Sequence, residues 1–170
     1  MGPTACAEAG PARTLVLGLG NLLLGDEGAG VHVAQRLGEL ALPDHVQVMD
    51  AGTAPAPALA AADRFDRLII VDALDVQAGA GEVYRLTVDQ VVQSSRNVSL
   101  HELDLGRLLQ TLEEWGRLPE EIVILGVTPG QIRWGTELSP ELRAKLPQIV
   151  QAVATEACKP CEEGAKRDDS

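Results

Sequence analysis

The chain has 170 residues, 45% of them hydrophobic and 23% charged, the proportions of one ordinary globular domain. With Lys+Arg at 14 against Asp+Glu at 25, the formal net charge is −11, which repels phosphate backbones and argues against nucleic-acid binding. One Tyr, one Phe and two Trp make no base-stacking platform, and no apolar run approaches the roughly 20 residues of a membrane span.

Residues 1–13 (MGPTACAEAGPAR) are rich in Gly, Pro and Ala and predict a loose extension. They have no basic n-region and no apolar h-region, so no secretory signal is expected and a cytoplasmic location is. Thr14–Gly20 (TLVLGLG) is a buried-strand run closed by glycine. Asp26 to Leu40 predicts a helix, with Val31, Ala34 and Leu37 on one stripe and acids in the first turn. Val46–Met49 is a second strand, closed by the turn Asp50-Ala51-Gly52-Thr53. The Ala-rich stretch Pro57–Asp63 suits a short helix, and Arg67–Asp72 (RLIIVD) is a third strand.

Glu82–Thr87 predicts a fourth strand at a sheet edge. Ser99-Leu100-His101-Glu102 has the form of a capping box opening a helix with Leu100, Leu103, Leu108 and Leu112. Glu121–Val127 (EIVILGV) is the fifth strand, and Ser139-Pro140 supplies a cap and a first-turn proline for a helix to about Ala157. The alternation implies a single three-layer α/β/α domain over residues 14–157 with a mostly parallel five-stranded sheet. Residues 158–170 form a polar tail.

In such sheets ligands bind outside the carboxyl ends of the strands. Asp72 ends the third strand, Asp50 follows the second, and Glu27 lies in the turn Gly25-Asp26-Glu27-Gly28 after the first. Asp26, Asp50 and Glu27 each have an ordinary structural explanation: Asp26 as a helix cap, Asp50 bonding its own turn, Glu27 favoured by the helix dipole. Gathered at one edge, mutually repelling carboxylates cost stability unless a cation or proton offsets them. His101, in a first helical turn, is kept neutral and so competent as a metal ligand. Alone it reads as a surface or packed histidine; beside Glu27 and Asp72 it would complete a two-carboxylate, one-histidine site with open positions. His32 and His45 are expected to be solvated or incidental.

Nucleophilic catalysis has no candidate, since there is no Gly-x-Ser-x-Gly elbow and Cys6, Cys158 and Cys161 all lie in the end segments. Those three cysteines make no disulfide framework, and the single Cys158-Lys159-Pro160-Cys161 motif is taken as incidental. Gly18-Leu19-Gly20 after a strand opens an alternative, a nucleotide- or dinucleotide-binding turn. Leu23 stands where that fingerprint wants its third glycine, and Leu22-Leu23-Leu24 would crowd a pyrophosphate.

The run Gly18-Leu19-Gly20-Asn21-Leu22-Leu23-Leu24-Gly25-Asp26-Glu27-Gly28-Ala29-Gly30-Val31, followed by Asp50-Ala51-Gly52-Thr53, Val71-Asp72-Ala73 and His101 on a Leu-rich helix, resembles the hydrogenase maturation proteases. The resemblance is collinear from about Thr14 to the last helix and leaves out both end segments. It implies a twisted five-stranded sheet between helices, of phosphorylase/hydrolase-like type. It implies that Glu27, Asp72 and His101 contact a metal, and that Asp50 serves recognition or cleavage in an aspartic-type endopeptidase. The implied substrate and partner is the large-subunit precursor of a nickel-iron hydrogenase, trimmed of a short C-terminal peptide after nickel is inserted. The nickel would arrive on the substrate, the protease acting as a monomer. A non-catalytic nickel-binding maturation chaperone is the other alternative.

Overall fold

The structure, a computed structural model, describes residues 11–75, 78–94 and 100–161. Four strands run parallel: β1 (Thr14–Leu19), β2 (Val46–Gly52), β3 (Arg67–Ala73) and β5 (Glu121–Val127). The short β4 (Val83–Leu86) joins β5 antiparallel at an edge, giving the order β2-β1-β3-β5-β4. The helices are α1 (Ala29–Gly38), α2 (Ala56–Leu59), α3 (Val88–Ser94), α4 (Leu100–Glu114) and α5 (Pro140–Ala157).

Successive residues of a strand face opposite sides, and here each side carries its own core. On one side Val16, Ile69 and Val71 meet Val33 and Leu37 of α1 and Ile149 and Val153 of α5. On the other, Leu15, Leu17, Leu68 and Ile70 meet Leu59 of α2 and Leu109 and Leu112 of α4. Burial on both faces explains why β1 and β3 are written as unbroken apolar runs and not as alternating ones. The contact between α1 and the sheet is backbone to backbone. A Cβ added to Gly30 would stand 2.1 Å from the Val71 carbonyl oxygen, and one on Gly18 2.2 Å from that of Gly30.

Four elements differ from expectation. The predicted helix from Asp26 begins as a separate 3-10 turn, Asp26–Gly28, before α1 proper. β2 runs on to Gly52, because its ladder with β1 continues past an irregularity between Gly18 and Leu19, so Asp50 lies inside the strand and not in a turn after it. α3 forms where no helix was expected; its β-branched sequence gives a poor helical signal, and Val88 and Val91 are drawn onto the second core. The Ala-rich stretch forms two short turns, α2 and Ala62–Arg64. Ser99 of the capping box lies outside the described residues. Ser139 does cap α5, its Oγ accepting from the Leu142 amide at 3.3 Å.

The amino-terminal ends of the strands form a polar floor. Arg67 is only 1% exposed and donates to Glu156, with its Nε 2.9 Å from a Glu121 oxygen. Arg85 bridges the same two acids at 3.1 and 3.2 Å, and Lys159 Nζ lies 2.7 Å from Glu156. At the other end of the chain, Arg13 donates to Asp66 at 2.7 Å and its carbonyl accepts from the Asp66 and Arg67 amides. The packed body therefore takes in Arg13 and continues past α5 to Lys159.

Candidate active site

The loops beyond the carboxyl ends of the parallel strands form the candidate site, and its architecture starts with the glycines of the first loop. Gly20 has φ +137°, a region closed to side chains, and a Cβ there would lie 2.0 Å from the Glu27 carbonyl oxygen. The loop thus folds back so that the Asp26–Gly28 turn packs against β3. Glu27 is carried half-buried to the end of that strand, where Asp72 is the penultimate residue. This close packing also fills the space over Gly18 and Gly20 with protein atoms, which is why those glycines serve helix–sheet contact and offer no cradle for a pyrophosphate.

Asp72 is 7% exposed, and its Oδ1 accepts from the Ala73 amide at 2.8 Å. By the pleat it shares the side of Leu68 and Ile70, the side covered by α4. α4 leads through a short connection into the start of β5, so it descends from the rim, and its first turn, with His101, begins at the rim end on that same side. The His101 side chain itself lies outside the described residues. Among the described residues no three His, Cys, Asp or Glu side chains gather closely enough to hold a metal ion.

Asp50 stands apart from this pair. In β2 it has the parity of Val46 and Val48, which pack on the α1 side, and Gln35 of α1 donates to its Oδ2 at 3.3 Å. Its Oδ1 accepts from the Gly52 amide at 3.0 Å, the local turn bond expected of it. All three carboxylates reach the rim, Asp50 on the α1 side of the sheet and Asp72, by the pleat, on the α4 side.

Asp26 is not a cap of its own helix. Fully buried, it reaches across to the loop after β5, accepting from the Gly130 and Gln131 amides at 2.8 Å each and from Ser139 at 2.7 Å. Burial pushes its carboxyl up, but the hydrogen bonds from Gln131, Ser139 and Gly130 outweigh this and hold it below the usual carboxylate range. Two backbone bridges, Leu24 with Gly135 and Gly25 with Ile132, complete the union of the two loops. His32, expected to be solvated or incidental, is half-buried beneath this loop. Burial is the main cause that holds its imidazole below the ordinary histidine value, only partly opposed by a hydrogen bond with the Thr136 backbone.

A family model of the hydrogenase maturation proteases matches residues 31–156 of this chain. The chain belongs to that family. It is 34% identical over 146 residues to the hydrogenase 2 maturation protease of Escherichia coli, covering 84% of this chain and 89% of that one. It is 32% identical to a Bradyrhizobium diazoefficiens hydrogenase expression/formation protein, HupD, over 79% of this chain and 72% of the relative. Among solved structures, the hydrogenase maturating endopeptidase HybD of E. coli superposes with a TM-score of 0.72 at 32% identity, over 83% and 89% of the two chains. The HycI maturation protease of Thermococcus kodakarensis gives 0.71 at 26%, over 86% and 93%. The α/β architecture with its mostly parallel five-stranded sheet is thus common to this chain and other hydrogenase maturation proteases.

Within this maturation protease, sequence reading found the rim acids but missed the part played by Asp26 and His32. Asp26 binds backbone amides more than 100 residues away, and amides carry no residue-specific signal. His32 offered one hint, its place one residue from Val31 and Val33 at the buried edge of the α1 stripe.

Proposed function

We propose that this protein is the cytoplasmic, monomeric endopeptidase that removes the C-terminal extension from a nickel-iron hydrogenase large-subunit precursor, and that it recognises nickel already seated in that substrate. We read its fold as a three-layer, phosphorylase/hydrolase-like domain and its class as aspartic-type. The observation that carries the proposal is the seating of the Glu27 turn on β3, the strand whose penultimate residue is Asp72. No helix among the described residues is long and apolar enough to cross a membrane, in keeping with a substrate met in solution.

In this reading Glu27 and Asp72 offer oxygen donors and His101 an imidazole to the substrate's nickel, a borderline ion that accepts both. Gripping a metal borne by the precursor sets the scissile peptide at the rim and makes cleavage conditional on metal insertion. Held by Glu27, Asp72 and His101, such a metal would supply Lewis-acid chemistry to the peptide carbonyl or to an attacking water. Asp50, on the α1 side of the sheet, is assigned to recognition or cleavage of the substrate. The test is incubation of the purified protein with nickel-loaded and nickel-free precursor, followed by mass spectrometry. Cleavage of the loaded form alone is expected. Equal cleavage of both refutes metal gating, and an intact precursor in both points to the non-catalytic chaperone.

A further inference from the structure

Among the described residues, the large apolar side chains left exposed are few, and three of them stand on the two paired rim loops: Leu23 at 55%, Ile132 at 57% and Trp134 at 82%. Trp134 is the most exposed of them, more open than the chain's other tryptophan, Trp115, at 65%. The loops that hold these groups are not loose. The Gly25 amide donates to the Gly135 carbonyl at 2.8 Å, the Gly135 amide to that of Leu23 at 3.0 Å, and the buried Asp26 carboxylate fixes the loop at Gly130, Gln131 and Ser139. A buried charge is here committed to holding a loop whose outer side chains are solvent-facing and apolar. A rigid platform of this kind loses little conformational entropy on binding.

We infer that Leu23, Ile132 and Trp134 are the anchor by which the enzyme docks an apolar surface of its protein substrate, beside the rim and separate from the scissile segment. The inference rests on the proposed protease function and extends it to the partner's chemistry. Position supports it, since Asp26, which fixes the platform, is the chain neighbour of Glu27. Size supports it as well. The three side chains expose on the order of 400 Å² of apolar surface, about half of the roughly 800 Å² per partner that a standing dimer requires. That area suits the anchor of a complex that must form and dissociate with each turnover. Charge argues against the other occupants: at −11 a second copy and an anionic lipid surface are both repelled.

The test measures cleavage of nickel-loaded precursor by the wild type, Trp134→Ala, Ile132→Ser and, on the partner loop, Leu23→Ser. Each substitution is at an exposed site, so melting should stay within about 2 °C of the wild type. KM is expected to rise about ten- to thirtyfold for Trp134→Ala, and by less for the other two, with kcat within about a factor of two. If the wild type cleaves and all three variants keep its KM, or if they lose kcat at constant KM, the docking inference is overturned while the protease reading stands. If the wild type leaves the loaded precursor intact, the protease reading fails, and this inference with it. Sedimentation of the wild type and its flotation with phosphatidylcholine/phosphatidylglycerol vesicles complete the test. A dimer abolished by Trp134→Ala, or vesicle binding abolished by it, assigns the patch to that occupant and overturns the inference; a monomer that ignores vesicles supports it.

Discussion

Replacing Asp26 with alanine removes one carboxylate and strands three amide donors, those of Gly130, Gln131 and Ser139. Hydrogen bonds to an ionised acceptor contribute about 1.5–3 kcal/mol each, and part of that sum is returned because the carboxylate no longer has to be desolvated. A net loss of about 3 kcal/mol follows, and for a chain of this size it lowers the melting midpoint by roughly 6–12 °C. Asn is expected to lose less, about 2 kcal/mol, since it keeps one acceptor oxygen but turns an NH2 group toward at least one donor. The native carboxyl is held below its unfolded value. Its stabilisation is therefore complete above about pH 4 and is lost as pH falls through the lower native pKa, so the gap between wild type and variant closes in acid. Urea denaturation gives the free energy, and amide exchange by NMR at residues 130, 131 and 139 locates it. A variant within about 0.5 kcal/mol of the wild type, with unchanged protection at those amides, would refute the structural assignment of Asp26. Loss of cleavage in Asp26→Asn without loss of stability would move it into the chemistry.

Glu27→Gln and Asp72→Asn should each lower cleavage of nickel-loaded precursor by about two orders of magnitude or more while circular dichroism stays native; unfolding of either would favour a purely structural role. Gly30→Ala should destabilise by about 3 kcal/mol or more, because its Cβ would meet carbonyl oxygens of both β3 and β1, and a near-normal urea midpoint would contradict the backbone contact. Arg67→Ala leaves Glu121 and Glu156 short of their central cation and should cost about 3–5 kcal/mol at neutral pH. Burial pushes the Glu156 carboxyl up, but Lys159, Arg85 and Arg67 together hold it below its ordinary value, so that cost should shrink as pH falls below about 4. A pH-independent difference would show that the charges are not what Arg67 supports.

The sequence made most elements legible because local signals coincided there. β5 and α5 begin and end where apolar run, cap and proline placed them. Glu27 and Asp72 were visible because strand ends and glycine turns mark a sheet rim. What escaped depended on distant partners. The side of the sheet that Asp50 takes is decided by how far β2 stays paired with β1, and its turn-like Asp-Ala-Gly-Thr sequence disguised a strand. Asp26 was mistaken for a cap because its donors lie in another loop entirely. α3 was hidden by β-branched residues that only tertiary packing makes helical.

The polar floor around Arg67 lies at the opposite end of the strands from the rim loops, and α5 ends there, with Lys159 fastened to Glu156. Immobilisation on a sensor surface through a handle beyond Cys161 would therefore turn the candidate site outward, toward the flowing precursor. The same polarity of the molecule should let that site be rebuilt for a different hydrogenase without disturbing the base on which it stands.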